Sequence, residues 1–424
     1  MIRLTLKPGR DESVRRRHPW LFSGAVAEAR GDGSDGVAQV VDAGGETLAL
    51  GSYSSDSQIV ARLWSFGGGP IDSSLFRSRF AQARTLRERL VRPATTGYRL
   101  VNSEGDRCPG VLLDRYAGAA VLELTTGGTE NWEAMLVEAA QEVFTPDRIL
   151  VRRSGADRDR GQLPLPGGAR GVSPRLMSAP AATEGRASRS ERPAEGRGEG
   201  RDSAELSLVP FSENGLSFFA DVIQGQKTGF FLDQRDNRAR LRALAADQRV
   251  LNLFSYSGAF SVAALAGGAA RAVDVDSSER ALDLARRQRQ ANSFAASEVD
   301  FVRADVFEDL RRRVEAREEW DIIVCDPPAF AKKRSDVERA ARGYKDINRL
   351  AMKLLALDGL LLTCSCSGLV DASLFQKIVF SAGLEAGHSF SLIARQGAGE
   401  DHPVSLDCPE GEYLKGLWLK RVDS

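Results

Sequence analysis

The chain has 424 residues, an apolar share of 42%, and 58 basic against 58 acidic side chains, so its formal net charge is zero. At roughly 150 residues per domain this length supports two or three folded units, and the balanced charge excludes a uniformly basic nucleic-acid coat while leaving local basic patches open. Five cysteines without a C-x-x-C pair exclude a disulfide framework and a zinc ribbon, and His18, His388 and His402 lack metal-ligand spacing, so no metal is expected.

The first residues carry no signal-peptide core. No run reaches the roughly 20 apolar residues of a membrane span. A cytoplasmic chain without a membrane partner is expected. Residues 1–68 read as a small β module, with strands at 2–6, 38–41, 47–52 and 59–64 separated by Gly-rich turns. Inside it, Arg17, His18 and Trp20 stand in V-R-R-R-H-P-W-L-F, which suits phosphate contacts and base stacking. A solvated basic turn with its aromatics in the core is the plainer reading of the same residues. Residues 70–152 read as a compact α+β unit: a helix at 73–90, strands at 98–102, 110–116 and 119–124, a helix at 131–144 and a strand at 148–152. Residues 153–204 are rich in Arg, Gly, Pro, Ser and Ala, and no aromatic residue falls between Phe144 and Phe211. Such a stretch buries too little apolar surface to fold alone and is expected to be a disordered linker or insertion.

From 205 to 424 strands and helices alternate. Strands are predicted at 250–254, 272–276, 301–304, 322–326, 360–365, 385–393 and 414–421, with helices at 259–266, 278–292, 306–318, 342–357 and 371–382. This is the pattern of a doubly wound, Rossmann-like α/β sheet, with the last two strands expected as an antiparallel edge hairpin. Ligands bind such sheets at the carboxyl edge, and four strand ends carry chemistry there. Ser257 and Gly258 close a tight strand-to-helix turn, and Asp276, eighteen residues after Gly258, is placed to hold ribose hydroxyls. Asp305 ends F-V-R-A-D, where an acid can accept from the amine of adenine. Asp326 is followed by Pro327 and Pro328, which stiffen the backbone past the strand and suit a fixed grip on the amino edge of a planar base.

Taken together, D-P-P-A-F (326–330), V-D-V-D-S (273–277) and Q-K-T-G-F-F-L-D-Q-R-D-N-R (226–238) resemble class I S-adenosylmethionine-dependent methyltransferases. More narrowly they resemble the RlmI-type 23S rRNA cytosine-5 methyltransferases, as do R-G-Y-K-D-I-N (342–348), T-C-S-C-S-G (363–368), D-H-P-V (401–404) and E-Y-L-K-G (412–416). R-H-P-W-L-F-S-G (17–24) is similar to the start of that family's RNA-binding PUA domain. The resemblance implies S-adenosylmethionine as cofactor, 23S rRNA as partner, and a homodimer as a possibility. It places Phe231, Asp233, Gln234 and Arg235 at the cofactor together with Ser257, Gly258, Asp276, Asp305 and Asp326. It places Phe330, Tyr344 and Lys345 near the substrate mouth with Pro327 and Pro328.

Carbon-5 methylation makes its own demand on the sequence. Carbon 5 of cytosine becomes nucleophilic once a thiolate adds to carbon 6. Cys364 and Cys366 lie two apart at a strand end, hence on one face, and Cys366 matches the family's C-S-G position as nucleophile. Buried cysteines acting as small hydrophobes are the alternative. Cys325 precedes Asp326 and should face the other way. The base that removes the carbon-5 proton stays open between Asp326, Lys345 and water. Two other functions remain at this stage: exocyclic-nitrogen methylation of a purine, which needs no cysteine, and a non-catalytic RNA-binding assembly role.

Overall fold

The computed structural model describes residues 1–33, 36–153, 175–178 as backbone, 207–331 and 333–422. The N-terminal sheet has six strands in the order Trp20–Phe22, Ile59–Phe66, Thr47–Tyr53, Val37–Val41, Ile2–Leu6, Val26–Arg30. Only Ile2–Leu6 and Val37–Val41 run parallel. Trp20–Phe22 and Val26–Arg30 were not expected from the pattern; the first has three residues and the second is largely exposed, so neither alternates visibly. Ile2, Leu4, Leu6, Val40 and Leu63 fill the core of this sheet.

The second sheet runs Arg175–Ser178, Arg148–Arg153, Ala119–Leu124, Val111–Tyr116, Gly97–Asn102. Its edge strand corrects the expectation of an unstructured 153–204 for four residues, since Arg175–Ser178 pairs antiparallel with Arg148–Arg153; the rest of that expected linker lies outside the described residues. The Ser73–Leu90 helix starts where the Asp72 carboxylate accepts the Leu75 N–H at 3.0 Å. It buries Phe76 and Phe80 with Trp132, Leu136 and Phe144 of the neighbouring Glu133–Phe144 stretch, and Trp64 of the first sheet packs into the same cluster. Trp64 meets Phe76 at 5.3 Å and Trp132 at 5.5 Å, both edge to face. Trp64 therefore ties the first sheet, which keeps its own core, to the core of the second.

A hairpin, Leu208–Glu213 with Leu216–Asp221, joins this unit to the next. Its Phe211 and Phe218 pack with Tyr116 and Leu150 on one side and with Phe230, Ala259 and Val262 on the other. The third sheet has seven strands in the order Phe301–Arg303, Arg271–Asp276, Arg249–Leu253, Trp320–Cys325, Leu355–Ser365, Lys415–Arg421, Phe390–Gln396. The first five are parallel, and the last two form the antiparallel pair. Chain order reverses direction beside Arg249–Leu253, which opens a crevice at the carboxyl edge.

Strand residues alternate between the two covered faces. Leu251, Ile323, Cys325 and Leu361 pack under the helices Val306–Glu315, Val337–Lys353 and Ala372–Ala386. Val250, Ile322, Val324, Leu362 and Cys364 pack with Trp418 under the helices Arg235–Leu244 and Ala259–Ala266. Each fully buried aliphatic contributes about 1.5–3 kcal/mol to holding these layers together. Two expected elements shift. The helix read at 342–357 runs Val337–Lys353, and Leu355 already begins the long strand. The strand read from 385 starts at Phe390, because the preceding helix continues to Ala386 and is closed by Gly387 at φ +81°. Among the described residues no helix is long and apolar enough to cross a membrane.

Candidate active site

The turn after Arg249–Leu253 is built from unusual backbone. Phe254, Tyr256 and Gly258 have φ of +56°, +46° and +67°. Gly258 is required by packing as well, since a Cβ there would lie 2.7 Å from Ala285 Cβ on the Glu279–Ala291 helix. Beneath the turn, buried Asp274 accepts from Asn252 at 2.8 Å, Ser261 at 2.6 Å and Arg289 at 2.7 Å. Asp276 is oriented by two backbone donors, Tyr256 N–H and Ser278 N–H, each at 2.9 Å. Ser257 is buried in the turn. Asp305 is exposed and caps the Val306–Glu315 helix, its Oδ1 accepting from Phe307 and Glu308 N–H at 2.9 and 3.1 Å.

Along the same edge, Asp326 Oδ2 accepts from Gln234 Nε2 at 2.8 Å, and Gln234 is oriented in turn by Asn237, which donates to its Oε1 at 2.7 Å. Gln234 Nε2 also faces Cys364 Sγ at 3.6 Å. Cys364 is fully buried and Cys366, two residues on, is half-buried against the same cluster, as the period of a strand requires. Cys325 packs on the opposite face. The Cys366 thiol lies 3.9 Å from the Pro327 carbonyl oxygen. Past the prolines, Phe330 packs on Tyr344 at 4.6 Å, and Tyr344 hydroxyl lies 3.0 Å from Ser367 Oγ. Tyr344 thus braces the Cys366–Ser367 turn from within the fold.

Charge is concentrated behind these groups. Lys227 forms a buried ion pair with Asp233, and Tyr413 hydroxyl donates to the same carboxylate oxygen at 2.6 Å. Asp233 Oδ1 has no hydrogen-bond partner among the described residues. Lys227 Nζ sits 4.3 Å from the centre of the Phe231 ring, which meets Tyr256 edge-on at 5.3 Å. Burial acts to raise the Asp233 carboxyl, but Lys227 and His402 override it and hold it well below the usual range. Burial, and then the Asp233 charge, push Asp326 up to about 6. Burial and the Asp326 charge push the Cys366 thiol up to about 11. Lys227, Tyr413 and Lys415 were not singled out in the sequence; their signal was only their place inside the 226–238 and 412–416 blocks.

Four expected site residues are used differently. Arg235 is turned away from the crevice into a buried bidentate pair with Asp401, at 2.7 and 3.0 Å. Lys345 pairs at 2.7 Å with Glu385, a partly exposed ion pair between the helices Val337–Lys353 and Ala372–Ala386. Trp20 is buried, and its indole N–H donates to Glu104 at 2.8 Å, so its ring has no face for a base. His18 accepts the Trp20 N–H at Nδ1, 3.1 Å, and faces Glu410 through Nε2 at 3.4 Å. His18, Cys408 and Glu410 do bring ligand-type atoms within 4.8 Å of one another, a grouping invisible to sequence spacing. With Nδ1 accepting, Nε2 carries the proton, and the group reads as an interdomain hydrogen bond. Arg17 stands exposed.

The doubly wound sheet, the strained turn with its acid, and the second acid beside a thiol define a class I S-adenosylmethionine-dependent methyltransferase. A family model described as S-adenosylmethionine-dependent methyltransferase matches residues 179–389, and one described as a PUA-like domain matches residues 4–66. Ribosomal RNA large subunit methyltransferase I of Yersinia pseudotuberculosis and of Yersinia pestis is 41% identical over 419 residues, 98% of either chain. The chain belongs to this ribosomal RNA large subunit methyltransferase I family. In fold it is similar to a SAM-dependent methyltransferase from Streptococcus mutans, with TM-score 0.79, 23% identity, and coverage of 99% of this chain and 100% of that one. The same figures hold for a methyltransferase crystallised with SAH. S-adenosylmethionine is the cofactor of the family. The turn of residues 254–258 and the oriented Asp276 fit its ribose, a backbone approach beside a carboxylate.

Proposed function

We propose that this chain methylates carbon 5 of a cytidine in 23S rRNA, with Cys366 as covalent nucleophile. The observation that carries the reading is the half-buried Cys366 thiol at the carboxyl edge of the sheet, beside an Asp326 that Gln234 holds in place. Ser257, Gly258 and Asp276 would hold the cofactor's nucleoside, with Phe231, Asp233, Gln234 and Asp305 around it. Bound S-adenosylmethionine supplies an electrophilic methyl group. Cys366 adds to carbon 6, which makes carbon 5 nucleophilic. After methyl transfer a base takes the carbon-5 proton, and the electron pair of that C–H bond re-forms the 5,6 double bond as the carbon–sulfur bond breaks and Cys366 leaves as the thiolate. Asp326 or water would accept that proton.

A stacked base cannot approach a thiol in this crevice, so the cytidine must be splayed out of its helix. The N-terminal and central units would position the RNA, with exposed Arg17 among the phosphate contacts. All five cysteines are free, which suits work in the reducing cytoplasm. A homodimer is favoured by the outer face of the Ala372–Ala386 helix, where Phe380 and Leu384 are 66% and 65% exposed beside the edge strand Phe390–Gln396.

The test is methyl transfer from labelled S-adenosylmethionine to unmodified 23S rRNA, followed by nucleoside analysis. The expected product is 5-methylcytidine, abolished by Cys366→Ala and retained by Cys364→Ala. Label on a purine nitrogen, or full activity in Cys366→Ala, overturns the proposal.

A further inference from the structure

We propose that Lys415 is the positioning residue of the nucleophile: its ammonium fixes the turn at Cys366 and Ser367 and supplies the charge against which the Cys366 thiolate forms. The inference rests on the reading of Cys366 as nucleophile. Lys415 opens the strand Lys415–Arg421 directly opposite Ser365, one residue before the thiol. The residue is only 8% exposed. The ammonium donates to the Ser367 carbonyl oxygen at 2.7 Å and to the Tyr413 carbonyl oxygen at 2.8 Å. Ser367 is fixed on its other side as well, its Oγ accepting the Ala331 N–H at 3.3 Å and meeting Tyr344 hydroxyl at 3.0 Å. The residue after the nucleophile is therefore clamped between the loop that follows Asp326 and the last strand but one of the sheet.

A buried ammonium normally has a carboxylate against it, because an isolated buried charge is expensive. Lys415 gives its two hydrogen bonds to neutral carbonyls, which leaves one of its three N–H donors outside them. The groups that act on the Cys366 thiol come from every neighbouring element: Asp326 at the end of its strand, Lys227 and Asp233 from the segment before the helix Arg235–Leu244, Tyr344 from the helix Val337–Lys353, Tyr413 and Lys415 from the C-terminal strand and its approach, and Cys364 on its own strand. Glu412 and Asp371 act on Lys415 from outside. Two acids oppose a thiolate and two ammonium groups favour it. Lys227 is already paired with Asp233, so its charge is largely cancelled. Lys415 is the cation left to balance the thiolate. Burial brings the ammonium itself down to about 8, the expected condition of a lysine whose anion forms only during the reaction.

The experiment follows the rate of alkylation of Cys366 in the full chain by iodoacetamide at pH 7, below the value of about 8 at which Lys415 loses its charge, read by peptide mass spectrometry. Wild type is compared with Lys415→Gln, which keeps a donor for the Ser367 carbonyl and loses the charge, and with Lys415→Arg, which keeps the charge. Lys415→Gln is expected to slow the reaction about tenfold at pH 7, because well below the thiol's pKa the rate follows the thiolate fraction. Lys415→Arg is expected to stay within about threefold of wild type at that pH. An unchanged rate in Lys415→Gln overturns the proposal, and so does an equal slowing in both variants, which would assign the effect to shape. The readout needs no RNA, so it stays separate from the identity of the methylated atom, which Cys366→Ala tests.

Discussion

Replacing Arg235 with Met isolates what a buried ion pair contributes to this site. The guanidinium makes two charge-assisted bonds to Asp401, at 2.7 and 3.0 Å. Without it, a fully buried carboxylate keeps only the Arg99 N–H at 2.8 Å and the His402 Nδ1–H at 2.9 Å. Leaving a charge buried with one partner removed costs about 3–5 kcal/mol, two to four decades in the folding equilibrium. The assay is urea unfolding of the full chain followed by tryptophan fluorescence, with S-adenosylmethionine affinity of the folded protein measured by calorimetry. A lower unfolding free energy is expected, with the affinity within about threefold of wild type, under 1 kcal/mol. The double variant with Asp401→Asn should recover part of the loss, because no charge is then left buried. The pH dependence has a definite sign. Burial acts to raise Asp401, and His402 and Arg235 override it and hold the carboxyl well below its ordinary value. Its stabilisation is therefore fully present above an aspartate's usual pKa of about 4 and is lost as pH falls below that, so the gap between wild type and variant should narrow in acid. An unfolding curve identical to wild type, with S-adenosylmethionine binding weakened about a hundredfold, would refute the reasoning and return Arg235 to the cofactor.

Asp326 stands at about 6, raised by burial and then by Asp233. Methyl transfer should rise as this carboxyl ionises between about pH 5 and 7, and Asp326→Asn should flatten that limb while lowering the rate. Its folded-state pKa lies above the unfolded value, so the ionised form opposes folding; Asp326→Asn should unfold at higher urea than wild type at pH 8 and show no such gain at pH 4. A retained pH limb in the variant would remove Asp326 from the reaction. Gly258→Ala places a Cβ 2.7 Å from Ala285 Cβ at a φ of +67°, at a backbone cost of about 1–2 kcal/mol before the clash with the Glu279–Ala291 helix is counted. A lower melting temperature and weaker S-adenosylmethionine binding are expected; unchanged values of both would show that the turn and helix separate freely.

Long apolar strands and amphipathic helices were legible because one residue type repeats at the spacing of the element. The helix Arg235–Leu244 was not, because its inward positions are Arg235, Asn237, Arg238 and Leu241. Those charges are buried by partners far along the chain, Arg235 by Asp401 and Arg238 by Glu213, and a local pattern cannot show them. The acids at strand ends were readable because the fold puts every strand end on one edge. The donors behind them were not: the Lys227 ammonium and the Tyr413 hydroxyl meet at Asp233 only after the sheet has closed. Trp20 is the reverse case, where the plainer reading of a core aromatic is the one that holds. Beside three arginines it looks like a stacking platform, yet its indole N–H is taken by Glu104, 84 residues on.

The loop around Asp401 sits on both sides of a domain boundary. It touches the floor of the site, where Gly399 N–H donates to the Asp233 carbonyl at 2.9 Å, and it is held by the central unit through Arg99 N–H and through Arg87, which donates to the Asp401 carbonyl at 2.7 Å. Thr228, next to Lys227, is held in the same way by Asp114 and Tyr116 of the central sheet. For a geneticist, a map of inactivating alleles on this chain is therefore not a map of its active site. Substitutions around Arg87, Arg99 and Asp114 would score as catalytic lesions although all three are buried in the central unit. For the same reason the catalytic half is a poor candidate for recombination into another protein, since part of its foundation is encoded about a hundred codons upstream of it.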